Sequence, residues 1–258
     1  DGHYAYVKLH DPDSCLETLE NTRSIVDSFE EYKELGIHIT EFNTSYVPNA
    51  PVHDTNYNAA YTSLLLSRMG DMNESYSYWT FGDVFEEFGV PFAPFHGGFG
   101  MVANQGIPKP TFWAFKFFKN LQGDCLHRES DSIVVIDKTG KYIGVAWNLS
   151  DDQLDLDFNL PENEGRFCLI KRTVDEITCN PLKTWHDLGE PRHLTQTQLD
   201  HLINASSPLF ESDTMSAAAA GINLKLSLRA NSVVYFELAP AKLNSDRGYS
   251  YERVISGR

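Results

Sequence analysis

The sequence is short of cysteine, and its few cysteines show no pattern of use. Cys15, Cys125, Cys168 and Cys179 form no Cys-x-x-Cys pair, and four thiols are too few to build a disulfide framework across 258 residues. We therefore expect reduced thiols, which are typical of the cytoplasm, and we predict a cytoplasmic location.

Positive charge is also scarce. The chain has 21 Lys and Arg against 36 Asp and Glu, and its formal net charge is −15. Nucleic acids and anionic membrane surfaces both require a basic face on their partner, so we exclude both as partners. No apolar run approaches the roughly 18 residues that a membrane-spanning helix needs.

Metal-binding patterns are missing as well. The nine histidines include no His-Glu-x-x-His sequence and no other spacing typical of a metal site, and the aspartates are not clustered. We therefore expect no metal and no other cofactor. The chain starts at Asp1 and not at a methionine, so we expect the natural N-terminus, with any targeting signal, to lie upstream.

The first half of the chain alternates helix and strand patterns. Ser14-x-x-Glu17 is a capping box that predicts a helix, which Gly36 ends. The β-branched and apolar residues 37–42 predict a short buried strand. The remaining elements are a helix after residue 55 that ends at Gly70 and Asp71, an aromatic strand over 75–81 and a buried helix over 112–121. Such alternation predicts parallel strands in an α/β sheet or barrel.

The pattern changes after about residue 130. The turn Asp137-Lys138-Thr139-Gly140 predicts a β-hairpin, and short alternating strands follow it. The predicted strands cover 133–136, 142–147, 154–158, 167–171, 222–228 and 232–238. This pattern is typical of a β-sandwich, interrupted by a polar insertion at 181–210 in which Thr195-x-x-Gln198 opens a helix.

The predicted elements divide the chain into an α/β part at 1–125, a β-sandwich at 126–242 and a polar tail at 243–258. A (β/α)₈ barrel takes roughly 250 residues, about twice what precedes the sandwich here. The first part is therefore either a small open α/β domain or the last part of a barrel that begins on another segment. Composition alone does not decide between the two.

Glu41 stands at the end of the first predicted strand, directly before an Asn-Thr-Ser turn. Core strands rarely carry glutamate, because an unpaired buried carboxylate is costly. In a (β/α)₈ barrel, catalytic residues lie at the C-terminal ends of strands; otherwise such a glutamate is an exposed loop residue. Aromatic residues crowd into 76–118, which suits either a surface that stacks on sugars or an ordinary aromatic core.

Six strings of residues follow one another in a fixed order between about residues 40 and 112. They are Thr40-Glu41-Phe42-Asn43-Thr44-Ser45-Tyr46, Pro51-Val52-His53-Asp54-Thr55, Asn58-Ala59-Ala60-Tyr61, Tyr78-Trp79-Thr80-Phe81 with Asp83-Val84-Phe85-Glu86-Glu87, Phe95-His96-Gly97-Gly98-Phe99-Gly100 and Ile107-Pro108-Lys109-Pro110-Thr111-Phe112. Together they resemble glycoside hydrolase family 39, and within it the bacterial β-xylosidases. The resemblance runs from about residue 4 to 121 and continues more loosely through the predicted sandwich.

The resemblance implies a retaining β-glycosidase on a (β/α)₈ TIM barrel with an accessory β-sandwich, of which this chain holds the C-terminal part of the barrel. It implies that Glu41, at the end of the seventh barrel strand, is the nucleophile. Trp79, at the end of the eighth strand, resembles the residue that floors the sugar subsite. Glu86 and Glu87 resemble carboxylates that bind the sugar hydroxyls.

Three further residues of the matching strings lie in loops. His53 and His96 are on the presumed active face, so each is a candidate substrate-binding residue, with a hydrogen-bonded loop histidine as the alternative. We interpret Asp54 as the N-cap of the helix that follows it.

The acid/base carboxylate of the family belongs to an Asn-Glu-Pro motif that this sequence does not contain. We therefore predict the C-terminal portion of an exo-acting retaining β-xylosidase, which releases xylose from the non-reducing ends of xylo-oligosaccharides. Its expected partner is the N-terminal barrel segment of the same enzyme, without which we expect no catalysis. A β-glucosidase, an α-L-arabinosidase, a homo-oligomer and a non-catalytic sugar-binding or assembly module stay open.

Overall fold

The computed structural model of the protein describes residues 4–84, 93–161, 165–217, 221–241 and 250–256. In chain order its elements are α1 (Ser14–Asp27), β1 (His38–Phe42), α2 (Asn56–Arg68), β2 (Ser75–Tyr78), β3 (Val102–Ala103), β4 (Ile107–Pro108), α3 (Pro110–Lys119), β5 (Asp124–Arg128), β6 (Ser132–Ile136), β7 (Tyr142–Asn148), β8 (Leu154–Leu160), β9 (Gly165–Val174), α4 (Pro181–Asp187), α5 (Gln196–Ala205), β10 (Leu209–Ala217), β11 (Ile222–Leu228), β12 (Ser232–Ala241) and α6 (Tyr251–Ser256). Among the helices so described, none is long and apolar enough to cross a membrane.

β1 and β2 pair in parallel, with Phe42 opposite Tyr78. α2 forms the connection between them, since parallel strands need a long crossover. This confirms the predicted parallel pair. The prediction that the first strand is buried is wrong, because Phe42 is the only buried residue of β1. In the described part of the chain, β1 pairs with β2 alone, so its other edge has no neighbouring strand.

α1 forms where it was predicted, but its two ends differ from the prediction. Ser14 is the first helical residue and not the N-cap, and the preceding Asp13 makes no side-chain cap hydrogen bond. The helix ends at Asp27, well before Gly36, because Ser28 takes over the end of the helix. The hydroxyl and the N–H of Ser28 both bond the carbonyl of Ile25, which competes with continued helix.

The second half is a β-sandwich of two unequal antiparallel sheets. One has six strands in the order β10-β9-β12-β7-β6-β5, and the other consists of β11 and β8. β11 alternates fully, burying its apolar residues against the larger sheet and exposing Asn223, Lys225 and Ser227. The predicted sandwich strands are therefore present, each at or within a few residues of its predicted bounds.

Six elements escaped the sequence patterns. They are β3, β4, β5, α4, β10 and α6. β10 forms an edge of the large sheet and is exposed along almost its whole length, so its residues show no apolar alternation. Without a buried face, a strand gives no period-2 signal.

The large sheet is covered on both faces, and its second face packs on α2 and α3. Phe117 of α3 stacks on Tyr235 of β12, with ring centroids 5.1 Å apart and planes 16° apart. Trp147 of β7 is buried in the same cluster. α3, predicted as a buried helix, is buried along one face, through residues such as Ala114 and Phe117, and exposed at Lys116 and Lys119. One core therefore continues across residue 125, and the domain boundary placed there stays a prediction.

The insertion helices α4 and α5 pack against the segment that follows β2. Trp185 of α4 lies 5.8 Å from Phe95, measured between ring centroids, in a small core that includes Ile107 and Leu202. The predicted capping box of α5 is present, with Thr195 and Gln198 bonding each other's backbone. The insertion thus supports the loop region after β2 from outside.

Phe117→Ala should lower the free energy of unfolding by about 3–5 kcal/mol, because a buried ring is lost and a cavity remains beside Tyr235. Phe117 is 1% exposed. The control is Phe210→Ala, whose ring is 53% exposed and faces Arg172, and which should cost less than about 1 kcal/mol. Urea unfolding measures both values, and equal losses would contradict a core shared by helices and sheet.

Candidate active site

Glu41 and Trp79 lie at the same end of two adjacent strands. The N–H of Trp79 donates to the carbonyl of Phe42 at 3.0 Å, and the Phe42 and Tyr78 rings meet edge to face in the core beside the helices. The pairing of β1 with β2 is irregular between Ile39 and Phe42, and both of these side chains pack in the core beside the helices. Glu41 lies between them, and Trp79 directly follows Tyr78. Glu41 is exposed and Trp79 is half-buried. Both residues therefore lie at the carboxyl end of one pair of parallel strands.

Asn43 ties together the backbone at the ends of these strands. Its Nδ2 donates to the carbonyl of Trp79 and, at 3.1 Å, to that of Phe99. Its Oδ1 accepts from the hydroxyl of Tyr78 at 3.3 Å, and Asn58 donates to the same hydroxyl at 3.1 Å. Burial raises the pKa of Tyr78 to about 12, so the phenol stays neutral and can donate. Asn43, two residues after Glu41, is therefore bonded directly to the backbone of Trp79.

A buried ion triad joins the segments that follow β1 and β2. Nζ of Lys109 lies 2.6 Å from Oδ1 of Asp54 and 2.7 Å from Oδ2 of Asp83, and all three side chains are at most 1% exposed. The interpretation of Asp54 as an N-cap is wrong. Thr55 precedes α2 as its N-cap, because the Asp54 carboxylate is drawn to the lysine.

The charges in the triad shift each other's protonation. Burial acts to lower the pKa of Lys109, but the carboxylates of Asp54 and Asp83 outweigh it and raise that pKa above its ordinary value. Burial raises the pKa of Asp83, and Lys109 opposes this effect. An ammonium held between two carboxylates is the arrangement in which a buried charge is tolerated.

The triad holds the glycine-rich segment 97–100. Its two carboxylates accept the N–H groups of Gly97 and Gly100, at 2.7 and 2.6 Å, and its ammonium donates to the carbonyl of Gly98 at 2.9 Å. Between these bonds, the carbonyl of Phe99 accepts from Asn43. Segment 97–100 is therefore bonded on one side to the triad and on the other to the end of β1.

Three of the four positions in this segment require glycine, because other atoms occupy the space that a side chain would need. A Cβ on Gly97 would lie 2.6 Å from a backbone atom of Asn49, and one on Gly98 would lie 2.5 Å from the Asp83 carboxylate. A Cβ on Gly100 would lie 2.5 Å from backbone atoms of Gly82 and Asp83. Such distances are far below normal contact, so each glycine permits a close approach of backbone to backbone or to the triad.

The two candidate histidines have different surroundings. His53 is fully buried, and its ring nitrogens face the carbonyls of Gly97, at 2.8 Å, and Ser45, at 3.1 Å. Burial lowers the pKa of His53, although both hydrogen bonds oppose the shift. His96 is half-buried, with its Nδ1 3.3 Å from the carbonyl of Ala93. The contacts of His53 support the loop after β1 and leave no ring nitrogen for a sugar.

Glu86 and Glu87 lie in segment 85–92, outside the residues that the structure describes. Their contact with a sugar therefore stays a prediction. Within the described ranges, no group of three or more His, Cys, Asp or Glu side chains is arranged to hold a metal ion.

Comparison with known proteins gives consistent matches. The family model of glycosyl hydrolases family 39 matches residues 3–223. The chain is 37% identical over 241 residues to a β-xylosidase of Geobacillus stearothermophilus and 31% identical over 202 residues to one of Caldicellulosiruptor saccharolyticus. These matches cover 92% and 72% of this chain but only 47% and 41% of those proteins. The chain therefore spans about half the length of the relatives it matches.

Solved structures give the same result. A monomeric β-xylosidase from Caulobacter crescentus superposes with a TM-score of 0.83 at 28% identity, covering 94% of this chain and 54% of that one. A family 39 enzyme from Xanthomonas axonopodis pv. citri superposes with a TM-score of 0.81 at 26% identity, covering 92% and 50%.

Gly100→Ala should lower the free energy of unfolding by about 1–3 kcal/mol, because the added methyl group collides with the backbone at Gly82 and Asp83. Gly70→Ala is the matched control. The nearest atom to its Cβ would be a ring carbon of Tyr76 at 3.9 Å, an ordinary contact. Thermal and urea unfolding of both variants test the difference, and a Gly100→Ala protein as stable as the control would refute the close packing.

The lowered pKa of His53 makes stability depend on pH. Just below about pH 6.5 the unfolded chain binds a proton that folded His53 does not, so the free energy of unfolding falls as the pH drops from there towards the folded pKa. His53→Gln should remove this slope. The opposite contribution of Asp83, whose pKa is raised, is present in both proteins and cancels. Urea unfolding at several pH values measures the slope, and His10→Gln, at an exposed histidine, should leave it unchanged. An equal slope in His53→Gln would contradict a neutral buried imidazole.

Proposed function

Because the chain belongs to glycosyl hydrolase family 39, we propose that it carries the nucleophile side of a retaining β-xylosidase site. The observation that supports the proposal is that Glu41 and Trp79 both lie at the carboxyl end of two paired parallel strands. In barrel enzymes, this is where catalytic side chains stand. The relatives that support xylose as the sugar are named β-xylosidases.

In the proposed reaction Glu41 is the nucleophile. Its carboxylate attacks the anomeric carbon, the bond to the leaving oxygen breaks, and a covalent glycosyl-enzyme forms. A second carboxyl group, about 5–5.5 Å from Glu41, protonates the leaving oxygen and then takes a proton from the water that hydrolyses the intermediate. The exposure of Glu41 suits a carboxylate that must reach a substrate while ionised.

The sugar would be held by the side chains around Glu41. The indole of Trp79 offers a flat apolar face to the ring C–H groups, and its position is fixed through Asn43. Glu86 and Glu87 would accept hydrogen bonds from the sugar hydroxyls. An end sugar bound in this way leads to exo action, which releases xylose from the non-reducing ends of xylo-oligosaccharides.

We further propose that β1 and β2 are the last two strands of a (β/α)₈ barrel, completed by a segment of the same enzyme that also supplies the acid/base carboxylate. A two-stranded parallel sheet is normally covered on both faces and has further strands at its edges. In the part of the chain that the structure describes, Thr40 and Glu41 of β1 and Ser77 of β2 are exposed. The apolar side chains of Ile25, Phe29 and Leu35, in and after α1, are 53–62% exposed, which suits a neighbouring barrel helix. The cytoplasmic location and a homo-oligomer remain predictions.

The test is Glu41→Ala in the complete gene product that contains this chain, assayed on an aryl β-xyloside. We expect kcat to fall by more than about 10⁴-fold, because the covalent step loses its nucleophile. Azide should enter the vacated space and restore part of the turnover, giving a glycosyl azide of inverted configuration. Product analysis by NMR identifies the anomer.

Glu74→Ala is the matched control, since Glu74 is an exposed carboxylate at the opposite end of β2. Its activity should equal that of the wild type. If Glu41→Ala keeps wild-type turnover, the nucleophile is another residue. If the complete wild-type protein binds xylo-oligosaccharides without hydrolysing any xyloside, glucoside or arabinoside, it is a sugar-binding module and not an enzyme.

A further inference from the structure

We propose that Lys109 is a positioning residue for the glycosidase site, fixing Glu41 and Trp79 relative to each other through segment 97–100. The inference rests on the proposed function and adds to it a residue that touches neither the sugar nor the reacting atoms. Lys109 is fully buried directly before α3, so it reaches the site only through the groups that it holds.

The first step is the number of segments that one ammonium brings together. Nζ of Lys109 contacts Asp54 from the loop after β1, Asp83 from the loop after β2, and the carbonyl of Gly98. An ammonium has three hydrogens, and three acceptors surround it here. Removing the ammonium would release all three segments and leave two carboxylates buried without a cation.

The second step leads from segment 97–100 to the two site residues. The carbonyl of Phe99 accepts from Nδ2 of Asn43, two residues after Glu41, and from the N–H of Thr80, directly after Trp79, each at 3.1 Å. One backbone carbonyl therefore bonds the chain beside both site residues. A shift of Phe99 would move these two neighbours.

The third step is that segment 97–100 has little room to move. The close approaches at Gly97, Gly98 and Gly100 leave the segment no free space on the side of Asn49, Gly82 and the triad. Both ends of the segment are bonded to triad carboxylates, so the position of Phe99 follows the position of the triad. Misplacing a catalytic group by about 1 Å can cost about 10²-fold in rate.

The experiment uses the complete gene product with two substitution sets. Lys109→Met removes the cation alone. A neutral variant combines Lys109→Met with Asp54→Asn and Asp83→Asn, which leaves no unpaired buried charge and keeps oxygen acceptors for the N–H groups of Gly97 and Gly100. Lys225→Met is the control, at a surface lysine that is 76% exposed and 3.8 Å from Asp157.

The readouts are the melting temperature, kcat and KM on an aryl β-xyloside, and the rate of covalent labelling by a 2-deoxy-2-fluoro-xyloside with an activated leaving group. In labelling, an oxygen of Glu41 bonds the anomeric carbon while the bond to the leaving group breaks, and the group departs as its anion. The labelled peptide is identified by mass spectrometry.

We expect the neutral variant to melt near the wild-type temperature, to lose about 10²-fold in kcat with a smaller change in KM, and to be labelled more slowly by a similar factor. A role in stability alone would leave kcat and the labelling rate unchanged wherever the protein is folded. A folded neutral variant with wild-type rates therefore overturns the proposal.

The remaining outcomes also decide. If Lys109→Met and the neutral variant both fail to fold, Asp83→Asn alone is the mildest test, and its failure to fold as well would assign the triad to stability and overturn the proposal. If Asp83→Asn folds with lowered kcat and slowed labelling, the proposal is supported; wild-type rates overturn it.

Absence of labelling at Glu41 in the wild type would instead refute the proposed function, so failure of the proposed function and failure of the positioning role are distinguishable.

Discussion

The contact of one buried ammonium with two carboxylates is the interaction on which the carboxyl ends of β1 and β2 depend. Lys109, Asp54 and Asp83 come from three parts of the chain, and each brings its own segment to one point. Taking three charges out of water is costly, and the cost is offset only if the groups stay in contact and every remaining polar atom is bonded. The N–H groups and the carbonyl of segment 97–100 supply those remaining bonds. Because an unpaired charge in this position would be costly, the loops that carry Asp54 and Asp83 must both stay in contact with Lys109.

The rest of the molecule packs around the triad and the strand ends from two sides. On one side, α2 and α3 separate the β1–β2 pair from the large sheet of the sandwich, and one hydrophobic core joins all three layers. On the other side, α4 and α5 pack against the segment after β2, where Trp185 contacts Phe95, just before segment 97–100. The sandwich therefore contributes to the support of the candidate site. Its large sheet shares a core with α2, α3, β1 and β2, and its insertion packs against the segment after β2.

What the sequence revealed depended on whether an element had a buried face. The alternation of β11 follows from one face being covered, so it was predictable. β10 lies at an exposed edge and was missed. Glu41 and Trp79 became candidate site residues through their flanking strings, and their position at the same end of one strand pair followed only from the pairing of β1 with β2. Lys109 was not among the candidate site residues, because nothing local shows that a lysine will meet two distant aspartates.

The contrast between Glu41 and the groups behind it has a physical reason. In its proposed role as nucleophile, the Glu41 carboxylate must be free to approach the anomeric carbon, whereas its backbone must stay in place while the new bond forms. The structure divides these demands between two residues at one strand end: Glu41 is exposed, while Asn43, two residues on, donates to the carbonyls of Trp79 and Phe99. Preorganised groups act without rearranging during the reaction, which requires a firmly held backbone behind the reacting group. Segment 97–100 and the triad meet that condition, since they hold the chain beside Glu41 and leave its side chain free.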